Sequence, residues 1–252
     1  MADRDRIIRA LDTYLNVSRF KDYLPIGLQV EGAAEVKKIV TGVSLNMALL
    51  NGAVKAKANM VLVHHGMFWR NESPVLKGHR KRRVAFLLEN NLSLLAYHLP
   101  LDAHPVVGNN ARILKMLGAG GLKSFAEYNG TEIGFTGRLE RSLILEKILE
   151  RLKPLTTGKP LCFPGKNKKV KRVGVVSGDG SSNFEEAVEA GVDLYITGEP
   201  YEPAKALARE TGMGFMAIGH YNSEKPGVMA LGEWVKKRFR IPVEFLDIPN
   251  PA

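Results

Sequence analysis

Residues 38–66, with the sequence KIVTGVSLNMALLNGAVKAKANMVLVHHG, decide the fold class of this chain. The run at 38–44 is rich in β-branched residues and predicts a buried strand. Apolar residues at helical spacing follow near 47–58, and a second apolar strand is predicted at 60–64. A strand, a helix and another buried strand in this order predict two parallel strands joined by a covering helix.

The same alternation extends in both directions along the chain. Apolar residues spaced three and four apart predict an N-terminal helix at 6–15. Further predicted helices are 80–89, 108–117, 143–152, 183–190, 200–210 and a last helix ending near 238. Further predicted strands are 94–97, 131–139, 172–176, 192–197, 214–218 and 243–246. Strands that alternate with helices indicate an α/β fold with parallel sheets.

The two halves of the chain resemble each other. In the first, a strand ends at His98 and Asp102 follows four residues later; in the second, a strand is followed by His220 and then Glu224. A duplicated lobe accounts for this pattern. We therefore expect two similar α/β lobes with mainly parallel sheets. The expected boundaries are 1–120 for the first lobe, 121–169 for a connector and 170–252 for the second lobe.

Composition is that of an ordinary globular protein. Of the 252 residues, 45% are hydrophobic and 25% are charged, which excludes an intrinsically disordered chain. No apolar run approaches the ~18 residues that a membrane span needs. No signal-peptide core follows Met1, so we expect a cytoplasmic protein with no membrane partner. The single cysteine, Cys162, excludes an intrachain disulfide and a cysteine-based zinc cluster.

The formal net charge of +10 arises partly from two basic runs, HRKRR at 79–83 and KNKKVKR at 166–172. Clustered cations attract phosphates, so nucleic acid is one candidate partner. The simpler interpretation is a solvated helix start for the first run and a loop before a strand for the second. Neither run contains the interleaved aromatic residues of a base-stacking surface. The same charge would also favour an anionic small-molecule substrate.

Side chains that bind metals lie at or just beyond the ends of predicted strands. They are His64, His65, His98, His220, Asp102 and Glu224. Ligands of open parallel sheets gather beyond the carboxyl ends of the strands, so these side chains are expected to face one crevice. The two imidazoles of His64 and His65 could reach neighbouring ions. Carboxylates placed there could bridge two cations ~3.5–4 Å apart, as two-metal sites require.

Other chemical motifs are weaker. His79 and His104 lack this context, and we expect surface or loop roles for them. Cys162 is expected to pack rather than to act as a nucleophile. The glycine-rich segment GVVSGDG at 174–180 follows a strand and could cradle a phosphate at a helix start, or could simply form a turn. No Walker-type lysine motif and no nucleophile elbow is present in the sequence.

Several segments make the sequence recognisable. They are IGLQV at 26–30, VHHGMFW at 63–69, YHLPLD at 97–102, GNN at 108–110, TGE at 197–199 and GHYNSE at 219–224. On these segments the chain resembles the NIF-three-like family, whose members are often labelled GTP cyclohydrolase I type 2 homologues. The short middle segment corresponds to the compact form of that family.

The resemblance implies a duplicated α/β fold, a dinuclear metal site in the cleft between the lobes, and a ring-shaped homohexamer. Carried over position by position, the metal ligands would be His64, His65, Asp102, His220 and Glu224. His98 matches a histidine beside the ligands, where it would orient a ligand or shuttle protons. Two ions per chain are implied, and this donor set suits zinc, iron, manganese, cobalt or nickel.

The leading hypothesis is a divalent-metal-dependent hydrolase that acts on a nucleotide-like substrate, with His98 as general acid or base. Two alternatives stay open. One is a metal-stabilised ring that binds nucleic acid or a protein partner without turnover. The other is a metal-storage or allosteric scaffold.

Overall fold

A computed structural model describes residues 1–70 and 72–251 of the chain. The strands are β1 (Ala2–Asp3), β2 (Gly27–Val30), β3 (Glu35–Val36), β4 (Ile39–Ser44), β5 (Met60–His65), β6 (Ser93–Ala96), β7 (Ala119–Tyr128), β8 (Thr131–Leu143), β9 (Leu161–Phe163), β10 (Val170–Val176), β11 (Leu194–Thr197), β12 (Gly214–Ala217) and β13 (Val243–Phe245). The helices are α1 (Arg4–Tyr14), α2 (Met47–Lys55), α3 (Gly78–Glu89), α4 (Leu99–Asp102), α5 (Asn109–Met116), α6 (Leu145–Leu152), α7 (Phe184–Glu189), α8 (Ala204–Thr211) and α9 (His220–Phe239). Short 3-10 turns lie at Val17–Arg19 and Ser181–Asn183.

The chain divides into two compact α/β units. Unit 1 comprises Met1–Leu101 and Val228–Ile248, and unit 2 comprises Asp102–Gly227 and Pro249–Ala252. Among the described residues, no helix is both long enough and apolar enough to span a membrane.

Unit 1 is built on a mainly parallel sheet with the strand order β13-β4-β5-β6-β2. Strands β13, β4, β5 and β6 pair in parallel, and β2 pairs antiparallel with β6 at one edge. Helix α2 begins where the side chain of Asn46 accepts a hydrogen bond from the backbone N–H of Leu49, at 2.9 Å. The helix buries Leu49, Leu50 and Ala53 against one face of the sheet. This confirms the strand–helix–strand order predicted from residues 38–66.

Unit 2 is built on a mixed sheet with the strand order β7-β8-β10-β11-β12-β9. The central strands β10, β11 and β12 are parallel, while β7, β8 and β9 pair antiparallel. Successive strand residues point to opposite sides of the sheet, and apolar side chains cover both faces. In β11, Leu194 and Ile196 belong to one apolar cluster, and Tyr195 between them belongs to another.

Residues 121–169, expected to connect two lobes, instead belong to unit 2, and they supply β8, β9 and most of β7 to its sheet. Strands β7 and β8 form a long hairpin with Asn129 and Gly130 in its turn, both at positive φ. Much of β7 is exposed, so its residues do not alternate between apolar and polar as a half-buried strand does. For that reason the sequence showed one extended segment here and not the hairpin.

The boundaries also differ from the expected ones at the other end of the chain. Residues 228–248 belong to unit 1 rather than to a second lobe. Strand β13 pairs with β4, with Val243 opposite Ile39 and Phe245 opposite Thr41. Pairing between segments so far apart in sequence leaves no local signal, so periodicity alone could not assign this strand to its sheet.

Candidate metal centre

The first group of side chains that could bind a metal ion lies at the end of β5 in unit 1. His64 is fully buried and His65 is partly buried, and the two are the last residues of the strand. Their rings lie 4.7 Å apart between centroids with an angle of 53° between the ring planes. Adjacent strand residues point in opposite directions, but the strand ends here, so the two rings remain close together.

His98 follows the neighbouring strand β6 and completes a cluster of three imidazoles. Its ring centroid lies 4.8 Å from that of His64 and 5.4 Å from that of His65. One ring nitrogen from each of the three residues lies within 4.8 Å of the others. Closely spaced imidazole nitrogens are a donor set that zinc and other first-row divalent metals favour. This cluster therefore fits a metal ion.

The orientation of His98 is fixed by Asp22 and Tyr23. Nδ1 of His98 lies 3.0 Å from Oδ1 of Asp22, and the backbone N–H of Leu99 donates to Oδ2 at 3.0 Å. An ionised carboxylate only accepts hydrogen bonds, so Nδ1 carries a proton in this contact. In neutral His98, Nε2 then accepts the hydrogen bond of the Tyr23 hydroxyl at 3.2 Å. These contacts leave neutral His98 with one tautomer, in which Nδ1 carries the proton.

The second group lies in unit 2, in the first turn of α9. Nε2 of His220 lies 3.1 Å from Oε1 of Glu224, one turn further along the helix, and Nδ1 lies 2.5 Å from Oε1 of Glu199. Burial by itself lowers the pKa of His220, but hydrogen bonds and charge from Glu224 and Glu199 outweigh it and raise the pKa to about 9. Two carboxylates that hold a proton on an imidazole also attract a divalent cation. This donor set fits a metal as well.

A glycine leaves room beside this pair. Gly178 has a φ of +64°, and a Cβ placed on it would lie 2.7 Å from Oε1 of Glu224 and 3.2 Å from Nε2 of His220. The loop is held in place by Ser223, whose hydroxyl accepts from the backbone N–H of Gly178 at 2.8 Å and donates to the carbonyl of His220 at 2.7 Å. Only glycine keeps the space in front of the imidazole–carboxylate pair open.

Asp102, also in unit 2, is buried and held by neutral donors. Its Oδ1 accepts hydrogen bonds from Nδ2 of Asn109 and from the hydroxyl of Ser177, both at 2.8 Å. Oδ1 of Asn109 in turn accepts from the backbone N–H of Gly227 at 2.7 Å. Because the amide and the hydroxyl are neutral, they orient the carboxylate without neutralising its charge. Such a carboxylate suits a metal ligand.

The other motifs have structural surroundings. Nδ1 of His104 accepts from the backbone N–H groups of Val106 and Val107, and His79 is exposed on α3. Burial raises the pKa of the Cys162 thiol to about 11, although Lys159 lowers it slightly. These findings agree with the roles expected for the three residues.

Backbone N–H groups of the glycine-rich segment at 174–180 donate hydrogen bonds to side chains elsewhere in unit 2. The backbone N–H of Ser177 donates to Asn110, that of Gly178 to Ser223 and that of Gly180 to Thr197. Amides engaged in this way favour the turn interpretation of this segment over a phosphate cradle.

The residues that support the candidate ligands were not predicted to have that role. Asp22 and Tyr23 lie in an irregular segment before β2, with no periodic pattern around them. Glu199 and Ser177 each follow a parallel strand directly or within two residues, the same signal that indicated the histidines. The strand-end rule could have included these two residues, whereas nothing local pointed to Asp22.

Comparisons with known proteins agree over the whole chain. Residues 2–251 match the family model described as Duf34/NIF3 (NGG1p interacting factor 3). A relative from Archaeoglobus fulgidus named "GTP cyclohydrolase 1 type 2 homolog" is 44% identical over 244 residues, which cover 97% of each chain. Among solved structures, "protein ybgI, unknown function" is similar with a TM-score of 0.93 and 39% identity, and the protein TTHA1606 from Thermus thermophilus with a TM-score of 0.89 and 35% identity. Both comparisons cover 100% of each chain.

Proposed function

This chain belongs to the Duf34/NIF3 family, and from that premise we propose that it is a divalent-metal-dependent hydrolase with a dinuclear site. One observation supports the proposal: each of the two units holds its own group of side chains whose donor atoms could bind a metal ion. Unit 1 contributes three closely spaced imidazoles, and unit 2 contributes an imidazole–carboxylate pair and a buried carboxylate.

We propose that five residues hold two divalent ions per chain. They are His64, His65, Asp102, His220 and Glu224. Support comes from the donor chemistry, because mixed nitrogen and oxygen donors suit zinc, iron, manganese, cobalt and nickel. More donors are present than one tetrahedral site takes up, which supports two ions rather than one.

His98 is proposed to handle protons. When bound, divalent ions lower the pKa of water and polarise the substrate. Asp22 keeps the proton of His98 on Nδ1, so Nε2 is the atom that would exchange a proton with water or a leaving group once the Tyr23 hydroxyl, which donates to it here, turns away. Tyr23, 3.2 Å from Nε2, holds the ring in the same position. The role of general acid or base requires this fixed geometry.

A nucleotide-like substrate is the proposed substrate class. Its support is the name of the relatives, GTP cyclohydrolase 1 type 2 homolog, together with the net charge of +10. A positive field raises the local concentration of an anionic substrate. The proposed assembly is a ring-shaped homohexamer; light scattering that gives a particle of 27.8 kDa, the mass of one chain, at all protein and salt concentrations would contradict it.

The decisive experiment combines elemental analysis with a hydrolysis screen. The protein is stripped with a strong chelator, saturated in turn with zinc, iron, manganese, cobalt and nickel, and assayed against nucleotides and phosphoesters. We expect close to two ions per chain and turnover that depends on them. At most one ion per chain after every saturation would overturn the dinuclear site. Two ions without turnover of any substrate would overturn the hydrolase and favour a scaffold.

A further inference from the structure

Arginine and aromatic side chains line a groove in unit 1. It lies between α1 and the last turns of α9, has a volume of about 460 Å³, and is called the arginine groove below. The residues that matter are Arg6, Arg9, Tyr14, Trp234 and Arg238. None of them belongs to the candidate metal centre.

The sequence places these side chains on facing helix surfaces. Arg6, Arg9 and Thr13 are spaced three and four residues apart on α1, so they share one face, while Ile7 and Leu11 are buried on the other. Trp234 and Arg238 are four residues apart on α9 and lie one above the other. Guanidinium groups therefore lie along both walls of the groove.

The arginines keep most of their charge uncompensated. Within the described part of the chain, no carboxylate forms a salt bridge with Arg6, Arg9 or Arg238. Three acids nearby in sequence have other partners. Asp5 pairs with Arg4 at 2.7 Å, Asp12 accepts a hydrogen bond from the hydroxyl of Tyr97 at 2.7 Å, and Glu233 pairs with Lys236 at 3.5 Å. Arg9 contributes weakly to lowering the pKa of Asp5. The groove is therefore positive in a chain that already carries a charge of +10.

An aromatic platform lies in the same groove. The rings of Tyr14 and Trp234 are stacked with centroids 4.2 Å apart and an angle of 10° between their planes. Both side chains are half-buried, so part of their ring surface faces solvent. A flat aromatic surface beside guanidinium groups is the combination that proteins use to bind unpaired bases and phosphates together.

We propose that the arginine groove binds single-stranded nucleic acid, with phosphates on Arg6, Arg9 and Arg238 and a base stacked on the Tyr14–Trp234 pair. The three cations outnumber what one phosphate monoester needs, and the groove is open rather than enclosed, which favours a polymer over a free nucleotide. An acidic peptide would satisfy the arginines but would make no use of the flat surface of the stacked rings. Neither basic run in the sequence contains such rings.

Tryptophan fluorescence gives a local readout, because the chain contains two tryptophans. In a Trp69→Phe variant, Trp234 is the only tryptophan that remains. We expect a fluorescently labelled twelve-nucleotide oligothymidylate to bind the wild-type protein in an anisotropy titration, and the unlabelled oligomer to quench Trp234 in the variant. Contacts with three phosphates give a slope of about −2 in a plot of log affinity against log salt concentration. The anisotropy titration does not depend on the Trp69→Phe substitution.

Two matched variants locate the binding. Arg6→Gln/Arg9→Gln/Arg238→Gln should raise the dissociation constant at least ~10-fold and reduce the salt slope by about 2. Lys77→Gln/Lys81→Gln/Arg82→Gln removes the same charge from exposed residues at the start of α3 and should change neither quantity. Circular dichroism spectra of both variants should match that of the wild type.

Four results would overturn the proposal. One is an equal loss of affinity in both triple variants, which would mean binding by overall charge. A second is binding of polyglutamate as tight as that of the oligonucleotide, which would mean an acidic protein partner. A third is oligonucleotide binding without quenching of Trp234. The last is a change of oligomeric state in the groove variant with no oligonucleotide binding by the wild type, which would mean contact with a second copy of this chain.

Discussion

The carboxylate of Asp22 lies 3.0 Å from Nδ1 of His98, a residue 76 positions later in the chain. The same carboxylate accepts from the backbone N–H of Leu99 and of Tyr23, and its side chain is 1% exposed. One buried carboxylate thus receives three donors and determines which nitrogen of His98 carries a proton. Asp22 acts through His98 and is a positioning residue.

Replacing Asp22 by asparagine should destabilise the protein and release His98. An asparagine side chain has one acceptor oxygen, and its NH₂ group would face a buried donor. We expect the free energy of unfolding to fall by about 1–3 kcal/mol, the cost of a buried polar group left without a partner. Urea unfolding of the metal-free protein measures this, and ¹⁵N NMR of the imidazoles should show a mixture of His98 tautomers.

Asp12→Asn is the matched control for this change. Oδ1 of Asp12 accepts a hydrogen bond from the hydroxyl of Tyr97 at 2.7 Å, and the amide oxygen of asparagine can also accept that bond. Asp12→Asn should therefore unfold close to the wild type. Equal stability of the two variants, or a single unchanged His98 tautomer in Asp22→Asn, would contradict the role of Asp22.

Glu224→Gln should lower metal occupancy more than any neighbouring acid does. Glu224 is 2% exposed and lies beside His220, so its charge has little solvent screening. If it bridges two ions, its loss leaves two cations with less negative charge between them. Elemental analysis after saturation should show fewer than two ions per chain and a matching loss of hydrolysis.

Glu202→Gln is the control for Glu224→Gln, because Glu202 is exposed. The sequence predicted Glu202 to lie in a helix, but it lies in the turn before α8. Metal content and melting temperature should stay near those of the wild type. Glu224 could instead serve only to stabilise the start of α9, a contribution of ~1 kcal/mol. Two ions per chain in Glu224→Gln with a small fall in melting temperature would support that role and exclude the bridge.

Gly178→Ala should disturb the imidazole–carboxylate pair directly. A methyl group would lie 2.7 Å from Oε1 of Glu224, and the residue would be held at a φ of +64°. The backbone strain alone costs about 1–2 kcal/mol, and the clash displaces a proposed ligand. We expect both a lower melting temperature and reduced metal content.

Gly130→Ala is the control for Gly178→Ala, because it introduces backbone strain without displacing a proposed metal ligand. Gly130 has a φ of +82° in the β7–β8 turn, and a Cβ on it would meet nothing within 4 Å. This variant should lose a similar amount of stability but keep its metal. Metal retention in Gly178→Ala equal to that in Gly130→Ala would show that the space beside Glu224 is not needed for binding.

Cys162 should react slowly with thiol reagents in the folded protein. Burial raises its pKa to about 11, so the reactive thiolate is scarce at pH 8. Relative to the unfolded chain, in which the pKa of this thiol is about 9, the thiolate fraction at pH 8 is roughly a hundredfold smaller. The rate of reaction with an aromatic disulfide reagent, measured with and without urea, should rise on unfolding by about this factor. A fast reaction in the folded state would contradict a buried, neutral thiol.

The raised pKa of Cys162 also makes the stability of the protein depend on pH in a defined direction. A thiol whose pKa is higher in the folded state contributes stability below its unfolded value of about 9 and loses it as pH rises towards about 11. The contribution of Cys162 is therefore absent above that range. A Cys162→Ser variant should show a smaller fall in stability between pH 9 and 11 than the wild type.

The buried parallel strands were predictable from the sequence, and the antiparallel edges were not. Strands β4, β5 and β6 consist almost entirely of buried residues, so each appears as a continuous apolar run. Strand β7 is exposed over most of its length, and β2 is only four residues long. Exposed or short strands owe their conformation to hydrogen bonds with a partner strand, which no local pattern reveals.

The candidate ligands were predictable because they follow strands, whereas their supporting residues were not. His64, His65 and His98 come directly after apolar runs, and the ends of neighbouring parallel strands meet at one edge of a sheet. Asp22 reaches His98 from an irregular segment far earlier in the chain. Its contact depends on how the whole of unit 1 packs, and a single sequence carries no record of such pairs.

The pairing of β13 with β4 has a consequence for how the protein is made. Residues Asp102–Gly227 of unit 2 leave the ribosome as an almost continuous stretch, but β4 meets its partner only some two hundred residues after its own synthesis. Until then β4 is an unprotected apolar edge on a nascent chain, the kind of surface that recruits other strands. Translation that stops before residue 243 would leave that edge permanently open, so prematurely terminated products should aggregate or require a chaperone. Once β13 is made, it pairs with β4 and covers the edge.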